Sequence, residues 1–164
     1  MKYRIAPIEE RYIESYRAAV DSVARERVYL AFLEAPPLES TVEFVRENIR
    51  DGHPQFVALI DDAVVGWCDI TSLHRPVFAH SGVLGLGVVN AYRGQGIGKA
   101  LLRATLDRAR AIGLTRVELT VRQHNTPAFE LYRKMGFAAE GVKKNGVRVD
   151  GRYEDLICMA QLIS

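Results

Sequence analysis

The run Val83-Leu84-Gly85-Leu86-Gly87-Val88-Val89-Asn90-Ala91-Tyr92-Arg93-Gly94-Gln95-Gly96-Ile97-Gly98-Lys99-Ala100-Leu101-Leu102 decides the fold. It begins as an apolar strand, passes through alternate glycines and enters a helix with Ile97, Leu101, Thr105, Ala109 and Ile112 on one face. Gly113 stands where a helix closes on a left-handed residue, and Arg116 to Val121 reads as the next strand. Strand, turn, helix and strand make a βαβ unit. Strands 83–89 and 117–121 should therefore run parallel, with a right-handed crossover. Gly82, Gly85 and Gly87 leave the first strand short of side chains, the mark of a bulge or of close approach by another backbone or a ligand.

A glycine turn that feeds a helix presents free N–H groups at a positive helix end, which is a phosphate site. Known versions separate by spacing. The G-x-x-x-x-G-K-[ST] loop fails twice, with Arg93 at its first glycine and Ala100 at its hydroxyl. The dinucleotide pattern G-x-G-x-x-G fails once, because Gly94, Gly96 and Gly98 are spaced G-x-G-x-G. What remains is Arg93-x-x-Gly96-x-Gly98 after an apolar strand. Read alone, that turn leaves a nucleotide-phosphate binder as one alternative.

Outward from this unit, Lys2 to Ala6 reads as a strand and Glu9 to about Leu30 as a helix carrying Ile13, Tyr16, Val20 and Val23 on one face. A bend covers Ala31 to Leu38. Ser40 with Glu43 forms a capping-box pattern for a second helix that ends at Asp51-Gly52. Gln55 to Ile60 and Val64 to Thr71 then alternate with period two about Asp61-Asp62-Ala63, a hairpin signature. Downstream, Thr126 caps a helix with Pro127 at its first position, and Gly136 ends it. Phe137 to Val142 and Tyr153 to Ala160 read as strands joined across Asn145-Gly146 and Asp150-Gly151. The expected architecture is α+β: a central mixed, mostly antiparallel twisted sheet, one parallel pair within it, and helices on both faces.

At 164 residues the chain has the length of one domain, residues 1–164. Lys plus Arg is 22 and Asp plus Glu is 20, a balance that argues against a nucleic-acid binder. The charge is uneven. Residues 93–134 hold nine basic side chains against Asp107, Glu118 and Glu130, which suits a small anionic ligand. The longest nearly apolar stretch, Gly82 to Val89, is far short of the ~20 residues of a membrane helix, and the N-terminus shows no secretory pattern. The two cysteines, Cys68 and Cys158, read as buried thiols of a reducing cytoplasm. The four histidines show no metal spacing, and no metal is expected.

The block Val88 to Leu102 resembles the acetyl-CoA pyrophosphate motif, R/Q-x-x-G-x-G/A, of the GCN5-related N-acetyltransferases (GNAT). A second block, Asn125-Thr126-Pro127-Ala128-Phe129-Glu130-Leu131-Tyr132 followed by Lys134-Met135-Gly136-Phe137, is similar to that family's downstream helix motif. The resemblance covers about residues 55–160 and points to a small bacterial-type single-domain member. It implies a sheet whose parallel pair splays at the cofactor site. It also implies an acetyl-CoA-dependent N-acetyltransferase acting by direct attack in a ternary complex. Backbone groups of Leu86 and Val88 would hold the pantetheine arm. The turn Arg93, Gly94, Gln95, Gly96, Ile97, Gly98 and Lys99 would receive the pyrophosphate. Asn125 would bond the pantetheine, Tyr132 would serve as general acid, and a backbone N–H near Val88 would meet the oxyanion.

The glutamate that many relatives carry on these strands is missing: the first reads Val83-Leu84-Gly85-Leu86, and Thr120 stands five residues before Asn125. Asp69, His74 and His80 are the remaining candidates for a base. Phe32, Glu34, Asp69, His74 and His80 are the expected acceptor-side residues. The expected acceptor is the primary amine of a small amino-acid-like or polyamine-like molecule. The alternatives are a protein N-terminus or lysine, or a catalytically degenerate acetyl-CoA-binding module. A homodimer is a candidate assembly, without nucleic-acid or membrane partners.

Overall fold

The computed structural model describes residues 2–164. Among them, seven strands form one sheet in the order β1-β2-β3-β4-β5-β7-β6. The strands are β1 Arg4–Pro7, β2 Gln55–Ile60, β3 Ala63–Ser72, β4 Ser81–Val88, β5 Arg116–Arg122, β6 Ala138–Val149 and β7 Arg152–Leu162. The helices are α1 Ile13–Ala24, α2 Leu38–Asp51, α3 Ile97–Ala111 and α4 Thr126–Lys134. Neighbouring strands are antiparallel except β4 and β5, as the βαβ reading requires.

Period two divides the central strands between two cores. Cys68, Ile70, Leu84, Val117, Leu119 and Val121 pack against α3 and α4 through Ile97, Leu101, Leu102, Leu106 and Tyr132. Val57, Leu59 and Trp67 pack against α1 and α2 through Tyr16, Val20, Val23 and Val45. Each fully buried Val, Leu or Ile adds about 1.5–3 kcal/mol. Two of the three β4 glycines make room for this packing. A Cβ on Gly82 would stand 2.3 Å from Ile70 Cγ2, and one on Gly87 2.3 Å from the Trp67 ring. At Gly85 the nearest atom would be Asp69 Oδ1, at 3.5 Å.

The β2–β3 hairpin turns on Asp61 and Asp62, both left-handed at φ +49° and +65°. Aspartate tolerates this geometry, which explains a tight hairpin without glycine. Three expectations need correction. Helix α1 stops at Ala24, because Arg27 turns left-handed at φ +65° and the chain arches through residues 25–37. Helix α2 begins at Leu38 behind Pro37, so Ser40 is inside it; Thr41 bonds the Pro37 carbonyl through both N–H and hydroxyl. The cap of α4 is Asn125, whose Oδ1 accepts from Ala128 N–H at 3.3 Å. The last two strands are also longer than expected. Asp150-Gly151 makes their turn, while left-handed Asn145 sits within β6 at a break in register between Lys143 and Val147.

Candidate active site

Strands β4 and β5 pair only over Ser81–Val83 and Arg116–Glu118, and then diverge. The peptide groups along the divergence follow from register. Val89 N–H donates to Val65 O at 2.9 Å and Leu73 N–H donates to Ser81 O at 3.1 Å, so odd residues of β4 face β3. Even residues therefore turn their N–H and C=O toward β5, and beyond the last pair, Val83 with Glu118, those of Leu86 and Val88 face the split with no strand opposite. Such groups are costly unless a ligand with amide groups pairs them. The Val88 carbonyl is the exception, because Arg93 Nε donates to it at 2.8 Å.

The split ends at the glycine turn. Gly94 and Gly96 hold φ +77° and +83°, which side chains resist, and Gly96 is the N-cap of α3 with no side-chain cap. The first-turn N–H groups of α3 are left pointing outward, ready for an anion. Arg93 does not hang free beside them. Its guanidinium donates to Glu26 through Nη1 at 2.9 Å and Nη2 at 2.5 Å, and lies 4.7 Å from the centre of the Tyr29 ring.

Helix α4 brings Asn125 and Tyr132 to the opposite wall of the split. Gly98 lets α4 approach α3 closely, since a Cβ there would lie 3.2 Å from Leu131 Cδ2. Tyr132 is buried, with its ring edge-on to Phe137 at 5.7 Å. Burial, with Cys68 nearby, pushes its phenol above the ordinary range, so it keeps its proton.

On the α1 side of the sheet, Asp69 looks across to Gly85. Burial pushes its carboxyl up to about 7. Tyr16 is raised by its own burial and by Asp69. The arch 25–37 roofs this side. Buried Arg122 holds it from β5, donating to Arg27 O at 2.9 Å and Leu30 O at 2.6 Å.

These elements enclose a cavity of about 1040 Å³. Its wall joins Leu86, Val88, Arg93, Gly94, Gly96, Ile97, Gly98, Lys99, Asn125 and Tyr132 to Phe32 and Asp69. Four expected site residues lie off that wall. Gln95 belongs to the turn without lining it, and exposed Glu34 pairs with Arg25 at 3.4 Å. His74 stands outside the cavity. His80 is an exposed residue whose carbonyl accepts from Thr115 and Arg116. The sequence points to the stretch Arg25 to Ser40 as an acceptor wall, and Tyr29 to Phe32 do line the cavity, but it singles out neither Glu26 nor Tyr29 within that stretch, nor Arg17 and Arg122.

A divergent parallel pair, an open helix N-terminus and a roofed pocket thus share one cavity. Residues 14–137 match the acetyltransferase (GNAT) family model, and the chain belongs to that family of N-acetyltransferases. It is 32% identical over 148 residues to the L-amino acid N-acetyltransferase AaaT of Escherichia coli, covering 90% of this chain and 91% of that one. A GNAT-family acetyltransferase from Streptococcus pneumoniae superposes with TM-score 0.92 at 26% identity, over 99% and 100% of the two chains. A phosphinothricin acetyltransferase from Sinorhizobium meliloti, solved with acetyl-CoA, shares the fold with TM-score 0.92 at 21% identity, over 100% and 90%.

Proposed function

We propose that this enzyme transfers the acetyl group of acetyl-CoA to the primary amine of a small amino-acid-like acceptor, by direct attack in a ternary complex. One observation carries the reading: the acceptor end of the cavity is roofed by Tyr29, Leu30 and Phe32 and walled by both Arg17 and Asp69. A roof excludes a folded protein chain, and a cation with an anion in one pocket suits a molecule bearing carboxylate and ammonium. The Escherichia coli relative, an L-amino acid N-acetyltransferase, supports the same class.

Acetyl-CoA supplies an activated thioester, and the residues of the split fit its arm. Leu86 offers N–H and C=O to pantetheine amides, and the turn from Gly94 to Lys99 offers amides to the pyrophosphate. Arg93 positions Val88 and the roof. Asn125, with Oδ1 committed to the cap, has Nδ2 left for a pantetheine carbonyl. The Val88 N–H faces the split and can meet an oxyanion, a contribution of about 3–4 kcal/mol for one such donor. Tyr132 presents its hydroxyl proton to the departing thiolate.

Thiol release from acetyl-CoA tests the proposal. The probes are the twenty proteinogenic L-amino acids, a polyamine and a peptide with a free N-terminal alanine. Turnover of one or more free amino acids is the expected result. Turnover of the peptide alone would replace the small acceptor with a protein amine.

A further inference from the structure

An acceptor amine at neutral pH is mostly an ammonium ion, with no lone pair to attack a thioester. A group must take its proton on the face from which it approaches. On that face β4 presents Val83, Gly85 and Gly87, none of them a base. Strand β5 presents Glu118, Thr120 and Arg122. Glu118 accepts from Arg116 at 3.3 and 3.2 Å, and Arg122 is spent on the arch.

Resting on the function proposed above, we infer that Asp69 of β3 takes the proton of the acceptor amine, acting across the bare backbone of Gly85. The two residues are cross-strand partners, and a Cβ on Gly85 would sit 3.5 Å from Asp69 Oδ1. The glycine therefore leaves the carboxylate open to the split. Gly85 lies two residues beyond Val83, the last β4 residue paired with β5, so the carboxylate stands over the apex where the strands part. Tyr132 belongs to the other core, on the other face of the sheet. A thioester seated between the strands thus has a carboxylate on one side and a phenol on the other. That is the arrangement attack and departure from opposite faces require.

Asp69 lines the cavity and has no side-chain hydrogen bond among the described residues. The ionisable group that faces it from α1 is Tyr16, and Cys68 flanks it on β3. Arg17 of α1 reaches the same wall but donates to Pro36 O at 2.8 Å. Strand β2 offers Gln55, and α2 offers Ser40, Thr41 and Phe44, none of which titrates. Its carboxyl, at about 7, can change state within the working range.

The step balances. The ammonium gives one proton to Asp69, which later passes it to solvent. The freed nitrogen lone pair forms the N–C bond to the acetyl carbon. The C–S bond breaks with its electron pair on sulfur, the thiolate takes the Tyr132 proton, and the second nitrogen proton leaves to solvent, from which Tyr132 is reprotonated. The products are the amide, free coenzyme A and one solvent proton.

The experiment compares wild type, Asp69→Asn and Asp69→Glu. Calorimetry follows acetyl-CoA binding, and thiol release from pH 5 to 9 follows turnover with whichever L-amino acid is acetylated. The expected result is acetyl-CoA affinity changed less than about twofold, with kcat in Asp69→Asn lower by roughly 10²–10⁴-fold. The enzyme limb of kcat/KM near pH 7 should vanish in Asp69→Asn and partly return in Asp69→Glu, while the amine's own limb stays. Wild-type kcat and an unchanged limb in Asp69→Asn would overturn the inference and leave the proposed function standing. If no amino acid is acetylated, the small-acceptor reading fails, and slow hydrolysis of acetyl-CoA becomes the readout. A slower Asp69→Asn still supports the proton acceptor, and equal rates overturn it. No acetyl-CoA binding by wild type would overturn both.

Discussion

Arg122 Nη2 and the Leu30 carbonyl meet at 2.6 Å across 92 residues of sequence, tying the end of β5 to the roof of the cavity. The arch has no helix or strand of its own between Ala24 and Leu38, and this buried side chain holds two of its carbonyls. Replacing Arg122 with Met should destabilise the fold by about 2–3 kcal/mol, since bonds from a charged donor are lost and the carbonyls stay inside. The KM for the acceptor should rise while acetyl-CoA affinity holds. Denaturant unfolding with steady-state kinetics measures both; an unchanged acceptor KM would show that the arch does not shape that pocket.

Acetyl-CoA should raise the melting temperature of the protein. At a hundredfold excess over Kd the linkage is about 2.7 kcal/mol, well within reach of a thermal scan. Coenzyme A without the acetyl group should act similarly, because the turn and the split recognise the carrier. A flat response to both would place the cofactor elsewhere.

Gly96→Val should abolish acetyl-CoA binding and also weaken the fold. Gly96 holds φ +83° at the head of α3, where a side chain adds about 1–2 kcal/mol of strain and a β-branched one more. A folded Gly96→Val that binds acetyl-CoA with native affinity would move the pyrophosphate away from this turn.

Tyr132→Phe should lower kcat by roughly 10²–10⁴-fold and leave acetyl-CoA affinity nearly unchanged. The ring still packs against Phe137, so stability should hardly move. Because burial raises the Tyr132 phenol, no falling limb from it should appear in the wild-type profile up to about pH 9. Native kcat in Tyr132→Phe, with chemistry rate-limiting, would assign the residue to packing alone.

Asp69 also makes a stability prediction with a definite sign. Its carboxyl is raised from 3.8 unfolded to about 7 folded, so between those values the native state holds the extra proton. Stability tied to this group is whole below pH 4 and lost as pH rises through 7. Asp69→Asn mimics the protonated form. It should therefore be more stable than wild type at pH 8, by on the order of a few kcal/mol, and so melt higher there, while matching it near pH 4. Equal melting temperatures at both pH values would mean that the carboxylate is well solvated.

The parts of this molecule visible in the sequence are those set by near neighbours. The glycine turn, the βαβ unit and the helix of the Asn125–Tyr132 block all obey local periodicity and spacing, and the structure holds each where it is read, with the helix cap moved from Thr126 to Asn125. The β4 glycines were visible as openings, but their purposes were not: the tenants of Gly82 and Gly87 are Ile70 and Trp67 from the neighbouring strand. In the sequence Asp69 is one of three candidates for a base with His74 and His80, while its position over Gly85 depends on the β3–β4 register. Least legible was the link from Arg93 to Glu26, which lies 67 residues away. It exists because α1 ends early, and that ending depends on a left-handed Arg27 and on Arg122 from the far half of the chain. No local pattern records such a dependence.

The three residue pairs that join β4 to β5 divide the sheet mechanically. On one side β1 to β4 form a continuous antiparallel ladder, and on the other β5, β7 and β6 form a second. The seam between them is the weakest line of backbone bonding in the sheet, and the site lies along it. A cosubstrate whose amides bridge both strands acts as mortar, turning two cooperative units into one. Amide exchange along β5 should then be governed by occupancy of the seam. Catalysis and the cohesion of the sheet would in that case draw on the same few unpaired peptide groups.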